Sequence, residues 1–366
     1  YKRKKVYGKI LMKLMNIKAL REIKTQKFRS VMIVGIVAAT ITMLLGMRAA
    51  YPMIMETYEE NLLENNVADG RFTFSGFIPD TNISLIKNDG SFMTDNHIED
   101  IEGRLSLYTD INYDGAKYPA IIIGVEYPNV VNEVYVEKLA DDVTDDHTLL
   151  NSTRNCIIES RFAGSLLGQD VSLGENISLT INSISDNFTV KAVGQDTDFI
   201  YVVDPVSKMT LMGQLAVIWM DLSMIQDIYF GGAPIINQIL YTVDSRLDKD
   251  MALDAADAMT LKLNSQNVKI SSMQFTVYDE TADRNFFDAD AGSVDKLGTI
   301  FGVIGLVVCC VAIFNMITRL VQAQRKKIGL FMSMGADSSK IIAHYVKITM
   351  ILAVVGVIIG IPLGHF

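Results

Sequence analysis

The sequence predicts a membrane protein in which α-helical transmembrane spans carry a large α+β extracytoplasmic domain. Two observations predict it. Long uncharged apolar runs interrupt a chain whose mean hydropathy is +0.25 although 20% of its residues are charged, and the charges are segregated. Residues 1–30 hold 11 basic and 1 acidic side chains, residues 51–295 hold 14 and 40, and residues 319–347 hold 6 and 1. Basic flanks on the cytoplasmic side and an acidic stretch outside are what the positive-inside bias produces. The same acidity argues against nucleic acid as a partner, because phosphate contacts need clustered Lys and Arg.

The first uncharged run covers 18 residues, 30–47, between Arg29 and Arg48. At 1.5 Å per residue that is about 27 Å, enough to cross a hydrocarbon core. A cleaved signal peptide is the alternative, but the apolar stretch is longer than a typical h-region and no small-x-small cleavage site follows it. Two further runs, 297–318 after Lys296 and 348–366 after Lys347, complete a three-span reading. The expected organisation is a basic membrane-surface helix over 1–29, spans over 30–50, 296–319 and 347–366, an extracytoplasmic domain over 51–295 and a cytoplasmic segment over 320–346. The chain opens with Tyr1 rather than Met and stops in the third run, so at least one more span is expected downstream. Cys156 is alone outside and Cys309 and Cys310 are neighbours in the second run, so no intrachain disulfide framework is expected.

Short runs rich in β-branched and aromatic residues, bounded by Gly, Pro, Asn or Asp, predict strands over 71–75, 118–125, 155–158, 188–193, 216–220, 235–243 and 268–277. Helices are predicted over 160–167, 222–229 and 248–263, the last burying Met251, Leu253, Ala255, Ala256, Met259, Leu261 and Leu263. Residues 53–65 and 279–295 read as polar helical continuations of the adjoining spans. Catalytic signatures are missing: there is no H-E-x-x-H, C-x-x-C, G-x-S-x-G or phosphate-binding G-x-x-x-x-G-K-[ST]. The four histidines, His97, His147, His344 and His365, share no metal-ligand spacing. No catalytic, cofactor or metal residue is therefore assigned.

The stretch 324–342 carries the most information. As a helix it sets Arg325, Lys326 and Lys327 before an apolar stripe of Ile328, Phe331, Met332 and Met334, and a second short helix is predicted from Asp337 or Ser338. By spacing alone it reads equally as a basic surface hairpin or as a coupling element that inserts its apolar side into a cytoplasmic partner. Gly298, Gly302 and Gly305 in the second span, and Gly356 and Gly360 in the third, are candidate helix-packing positions.

The pattern of Arg325, Ile328, Gly329, Gly335 and Ala336, followed by the glycine-spaced GVIIGIPLG of the third span, resembles the cytoplasmic segment of FtsX/MacB-like ABC transporter permeases. The basic LREIKTQKFRS before the first span is similar to that family's membrane-surface helix, and NCIIESRFAGSLLG, NFTVKAVGQD and NQILYTVD look like parts of its MacB-like core domain. Two positions depart from the family pattern: Lys327 stands where an acid usually precedes the Ile-Gly pair, and Lys347 roughly where a Glu often opens the third span. The resemblance implies a permease subunit that binds no ATP itself. It would be driven by a separate ABC ATPase docking on Arg325, Ile328, Gly329, Phe331, Met332, Gly335 and Ala336, and would move its outer domain to export or extract a substrate. It also implies residence in the lipid bilayer of the cytoplasmic membrane, as a homodimer or with a second permease half. The alternative is a membrane-anchored sensor or scaffold that regulates outer partners such as cell-wall enzymes.

Overall fold

The computed structural model describes residues 27–143, 148–151, 154–164, 168–266, 268, 273–333 and 337–365. In chain order its elements are α1 (Lys27–Glu64), β1 (Gly70–Pro79), α2 (Thr81–Lys87), α3 (Gly90–Asp95), β2 (Ile98–Tyr113), β3 (Ala116–Val125), β4 (Tyr135–Leu139), β5 (Asn155–Glu159), α4 (Ser160–Ala163), β6 (Asn176–Ile181), β7 (Ile184–Gln195), β8 (Ala216–Asp221), α5 (Leu222–Phe230), β9 (Ile235–Val243), α6 (Lys249–Ser265), β10 (Met273–Val277), α7 (Ala282–Ala323), α8 (Arg325–Ser333) and α9 (Ser338–Gly364). They form two compact units: Tyr1–Glu56 with Asp290–Phe366, and Thr57–Ala289.

The unit Thr57–Ala289 is built on a mixed sheet ordered β10-β1-β9-β2-β3-β8-β5-β7-β4, with β6 bridging β2 and β7. β3 with β8 and β5 with β7 run parallel, and the remaining neighbours are antiparallel. Alternation along a strand sends neighbouring side chains to opposite faces. Ala120, Ile122, Cys156, Ile158, Ile218 and Met220 accordingly enter one core, and Ile121, Ile123, Ile157, Val217 and Trp219 the other. Strands covered on both faces need apolar residues at every position, which is why AIIIGV and AVIWM read as unbroken apolar runs.

β2 was not predicted, and it is the longest strand. Its first half pairs with β9 and its second with β3, so it joins the two parts of the sheet. Buried Glu102 and Arg104 sit among its core positions, and these charges erase the period-two signal that reveals strands. Gly103 between them allows close packing, since a Cβ there would lie 2.6 Å from Ile83 Cδ1. β4 and β6 were also missed. At the other end, the strand expected over 268–277 is formed over Met273–Val277.

α6 buries Ala252, Ala255, Ala256, Met259 and Leu263, whereas the expected Leu253 and Leu261 are 39% and 71% exposed. The Tyr241 hydroxyl donates to the Ala252 carbonyl at 2.5 Å, so the helix backbone lies against β9 and only small residues fit between. Its start follows the sequence: Asp248 caps it, accepting from the Asp250 and Met251 amides at 3.0 and 3.2 Å. Asp221 likewise caps α5 by accepting from the Met224 amide at 2.8 Å, and Gly231 ends that helix at a φ of 65°. Of the helix expected over 160–167, Ser160–Ala163 is formed and 165–167 lie outside the described residues.

In the other unit, α1, α7 and α9 are long and apolar enough to cross a membrane. The short helix expected from Asp337 or Ser338 is instead the first turn of α9: no Gly or Pro falls between Ser338 and Val355, and the helix continues to Gly364 with Pro362 inside it. α7 begins at Ala282 rather than 279, after a 3₁₀ turn over Tyr278–Glu280. α9 packs tightly on α1: a Cβ at Gly356 would stand 2.7 Å from Val37 Cβ, at Gly360 2.8 Å from the Ala38 carbonyl oxygen and at Gly364 2.9 Å from Leu45 Cβ. Within this stripe the Thr42 hydroxyl donates to the Gly360 carbonyl at 3.2 Å. α7 also meets α1, less closely, with Gly298, Gly302 and Gly305 set 3.2, 3.1 and 3.3 Å from Met47, Leu44 and Thr40 on the same measure. Small residues let helix backbones approach where lipid offers no hydrophobic drive to pair them. Val307, Phe314 and Ile358 are exposed, a surface suited to hydrocarbon.

Two outcomes follow. Ile122→Ala should cost about 2–5 kcal/mol through the cavity it leaves, read as a lowered urea midpoint with Trp219 as the fluorescent reporter. An unchanged midpoint would contradict the two-faced burial of β3. Gly360→Val should destabilise the helical unit by about 1–3 kcal/mol through overpacking while Gly305→Ala leaves it near wild type, measured by thermal unfolding in detergent. Equal losses would refute the difference in closeness between the two interfaces.

Candidate functional site

The segment between α7 and α9 opens at Gln324, which is buried where the two helices break. Its Oε1 accepts from the Tyr345 hydroxyl on α9 at 2.7 Å, and its carbonyl accepts from the Ile328 amide at 3.0 Å. Gln324 and Tyr345 thus tie the root of α8 to α9. Neither was singled out in the sequence, where a Gln before a basic triplet reads as an exposed residue.

Beyond Gln324, Arg325, Lys326 and Lys327 are exposed and Ile328 is half-buried. Leu330 and Met332 are 62% and 47% exposed, so α8 presents an uncovered face that is both apolar and basic. Gly329 sits in the middle of this helix with nothing within 4 Å of where a Cβ would stand. Glycine in a helix interior costs about 0.8–1 kcal/mol relative to Ala, and no packing among the described residues requires it there. Phe331 belongs to α8 by backbone, while Gly335 and Ala336 lie outside the described residues. The basic helix expected over 1–29 lies outside them up to residue 26.

A second assembly, absent from the sequence reading, lies within Thr57–Ala289. Asp198 accepts from Arg71 on β1 and, at 2.8 Å, from Arg104 on β2, whose Nε donates to Gln238 of β9 at 2.7 Å. The Arg71 and Arg104 charges outweigh the cost of burial and hold the Asp198 carboxyl below the usual carboxylate range. Asp196 caps the same turn by accepting from the Asp198 amide at 2.8 Å. Burial, with the Asp198 charge beside it, pushes the Asp196 carboxyl up. Asn65, just past α1, donates to Thr197 at 3.1 Å, and Asp283 in the first turn of α7 accepts from the Tyr201 amide. The ends of both long helices therefore attach to one turn after β7.

The same helix ends also hold each other. Tyr58 of α1 stacks on Phe287 of α7 with ring centroids 3.7 Å apart, and Arg284 lies over Tyr58 and Tyr278 at 5.2 and 5.7 Å. Around the end of α1, Asn132 and Glu133 donate their amides to the Asn66 and Asn65 carbonyls at 2.9 Å. Glu102 fixes that loop by accepting from the Val130 and Val131 amides, both at 2.9 Å. Burial pushes the Glu102 carboxyl up to about 7, although these two amides favour its anion. Among the described residues no group of three or more His, Cys, Asp or Glu could hold a metal ion.

Residues 299–366 match the model of the FtsX-like permease C-terminal family. No curated protein matches the chain. Among solved structures, the chain is similar to the extracellular domain of the noncanonic ABC-type transporter YknZ from Gram-positive bacteria, at 13% identity and a TM-score of 0.37 over 57% of this chain and 99% of that one. It is also similar to the periplasmic region of MacB from Actinobacillus actinomycetemcomitans, at 11% identity and a TM-score of 0.37 over 64% of this chain and 98% of that one. Residues 299–366, which include the end of α7, α8 and α9, thus resemble the C-terminal module of FtsX-like permeases.

Proposed function

We propose that this chain is an ABC transporter permease that couples ATP hydrolysis on a separate ABC ATPase subunit to motion of its sheet-bearing domain, and that this motion exports or extracts a substrate at the outer face. The observation that carries the proposal is α8. It lies inside the family-matched segment, is rooted on α9 through Gln324 and Tyr345, and leaves its apolar and basic face uncovered. Gly329 supports the same reading, since its missing side chain leaves room for a partner to approach the helix backbone closely. In this proposal ATP is bound by the partner. Residues 51–295 lie outside the cytoplasmic membrane, and the permease works as a homodimer or beside a second permease half.

The spans are consistent with rigid-body transmission. The windows that cross hold few ionisable residues, and an intramembrane charge is the usual mark of an ion path. A mechanical link needs packed helices instead, and α1 is held by glycine contacts from both α7 and α9.

Gly329→Ala separates docking from folding. It should leave membrane insertion and thermal stability intact or slightly raised, since Ala is the better helix former, yet reduce stimulation of the co-purified ATPase about tenfold. One blocked close contact worth about 1.4 kcal/mol gives that factor. The readout is ATP hydrolysis by the reconstituted complex with and without the permease. Full stimulation by the variant, and by Phe331→Ala alongside it, would exclude α8 as the docking element.

A further inference from the structure

Asp283 stands in the first turn of α7, 6% exposed, with the Tyr201 amide as its donor. The charged and titratable groups acting on it come from three other parts of the fold: Asp196 and Asp198 on the turn after β7, Arg161 on α4 and Tyr58 on α1. Arg71 and Arg104 are directed at Asp198, and Arg161 donates to the Ile200 carbonyl. Among the described residues no ion pair joins any of these arginines to Asp283. Asp196 Oδ2 is buried and has no hydrogen-bond partner among the described residues. Three carboxyl groups thus share a space in which the arginine pair is committed to one of them.

We propose that this cluster is a proton-controlled joint: with Asp283 neutral the first turn of α7 is seated on the turn after β7, and ionisation of Asp283 against Asp196 and Asp198 unseats it. The seat is made by the Tyr201–Asp283 hydrogen bond and by the stacking of Tyr201 on Phe286, with centroids 6.1 Å apart. A third buried anion beside Asp198 gains no arginine ion pair and adds repulsion, with only the Tyr201 hydrogen bond and the Arg161 charge to favour it.

The direction with pH follows from linkage. Burial first, then the Asp198 and Asp196 charges, raise the Asp283 carboxyl to about 8. A carboxyl raised on folding contributes stability that is complete below the ordinary aspartate range and is lost as pH climbs through its folded value. The Asp283 contribution therefore falls steadily above the ordinary aspartate range and is gone by about pH 8, so part of it remains at pH 6.5 and none at pH 9.0. Asp198 runs the other way: its contribution is present above the ordinary range and lost only on strong acidification. Asp196 and Glu102, both raised to about 7, titrate on the way up, but Glu102 anchors the loop at α1 and not α7.

Hydrogen exchange of the full chain in lipid nanodiscs, followed by mass spectrometry at pH 6.5 and 9.0 and corrected for intrinsic rates, tests the joint. Over the roughly 1.5 pH units between pH 6.5 and the folded value, linkage gives about a thirtyfold fall in protection, expected in residues 282–289 of the wild type. Asp283→Asn keeps an oxygen that can accept from the Tyr201 amide but cannot ionise, so its protection should change less than twofold between the two pH values. Asp196→Asn should leave most of the wild-type fall in place. Wild-type protection that is unchanged at pH 9.0 would overturn the proposal whatever the variants do, and so would an Asp283→Asn protein that loses protection as the wild type does.

Discussion

Everything in the sheet-bearing unit is organised around one buried ion cluster, Asp198 between Arg71 and Arg104. Removing either arginine's partner would leave a charge in the interior, at a cost of about 3–5 kcal/mol. Because the three residues come from β1, β2 and the turn after β7, the cluster fixes the distance between parts of the chain that no sheet hydrogen bond joins directly. Gln238 extends the set to β9. The strand β2, which links the two parts of the sheet, could not carry Arg104 at a core position without this arrangement.

The consequence reaches the helices. Asn65 and Asp283 both attach to the segment that Asp198 pins, so the ends of α1 and α7 are referenced to the same point in the sheet. Asp69 plays a parallel part nearby. Its carboxylate accepts from the Val243 amide at 2.9 Å and from Arg246 at 2.8 Å, holding the start of β1 against the end of β9. Polar groups that look scattered in the sequence thus form the connection between the domain and its helices, each satisfied by a partner distant along the chain.

The spans and most strands could be read from the chain because their signals are local. An 18-residue apolar run or a stretch such as AIIIGV needs no knowledge of what it packs against. β9, expected over 235–243, is formed over Ile235–Val243 for that reason. What escaped was set by distant partners. Glu102 and Arg104 are buried only because Val130, Val131, Gln238 and Asp198 meet them, and those partners lie far away in sequence. Leu253 and Leu261 misled for the related reason that the sheet, through Tyr241, chose the alanine face of α6. In the segment between α7 and α9, Arg325, Ile328 and Gly329 could be singled out by motif, but the anchoring role of Gln324 and Tyr345 depends on α9 folding back beside it.

The stack of Tyr58 on Phe287 restricts how the two helix ends can shift against each other. Sliding one helix past the other by a turn is 5.4 Å, more than the 3.7 Å that separates the two rings, and would pull them out of register with Arg284 beside them. Displacing α1 and α7 together leaves the rings in contact. The two helix ends are therefore kept in register by a pair of aromatic rings.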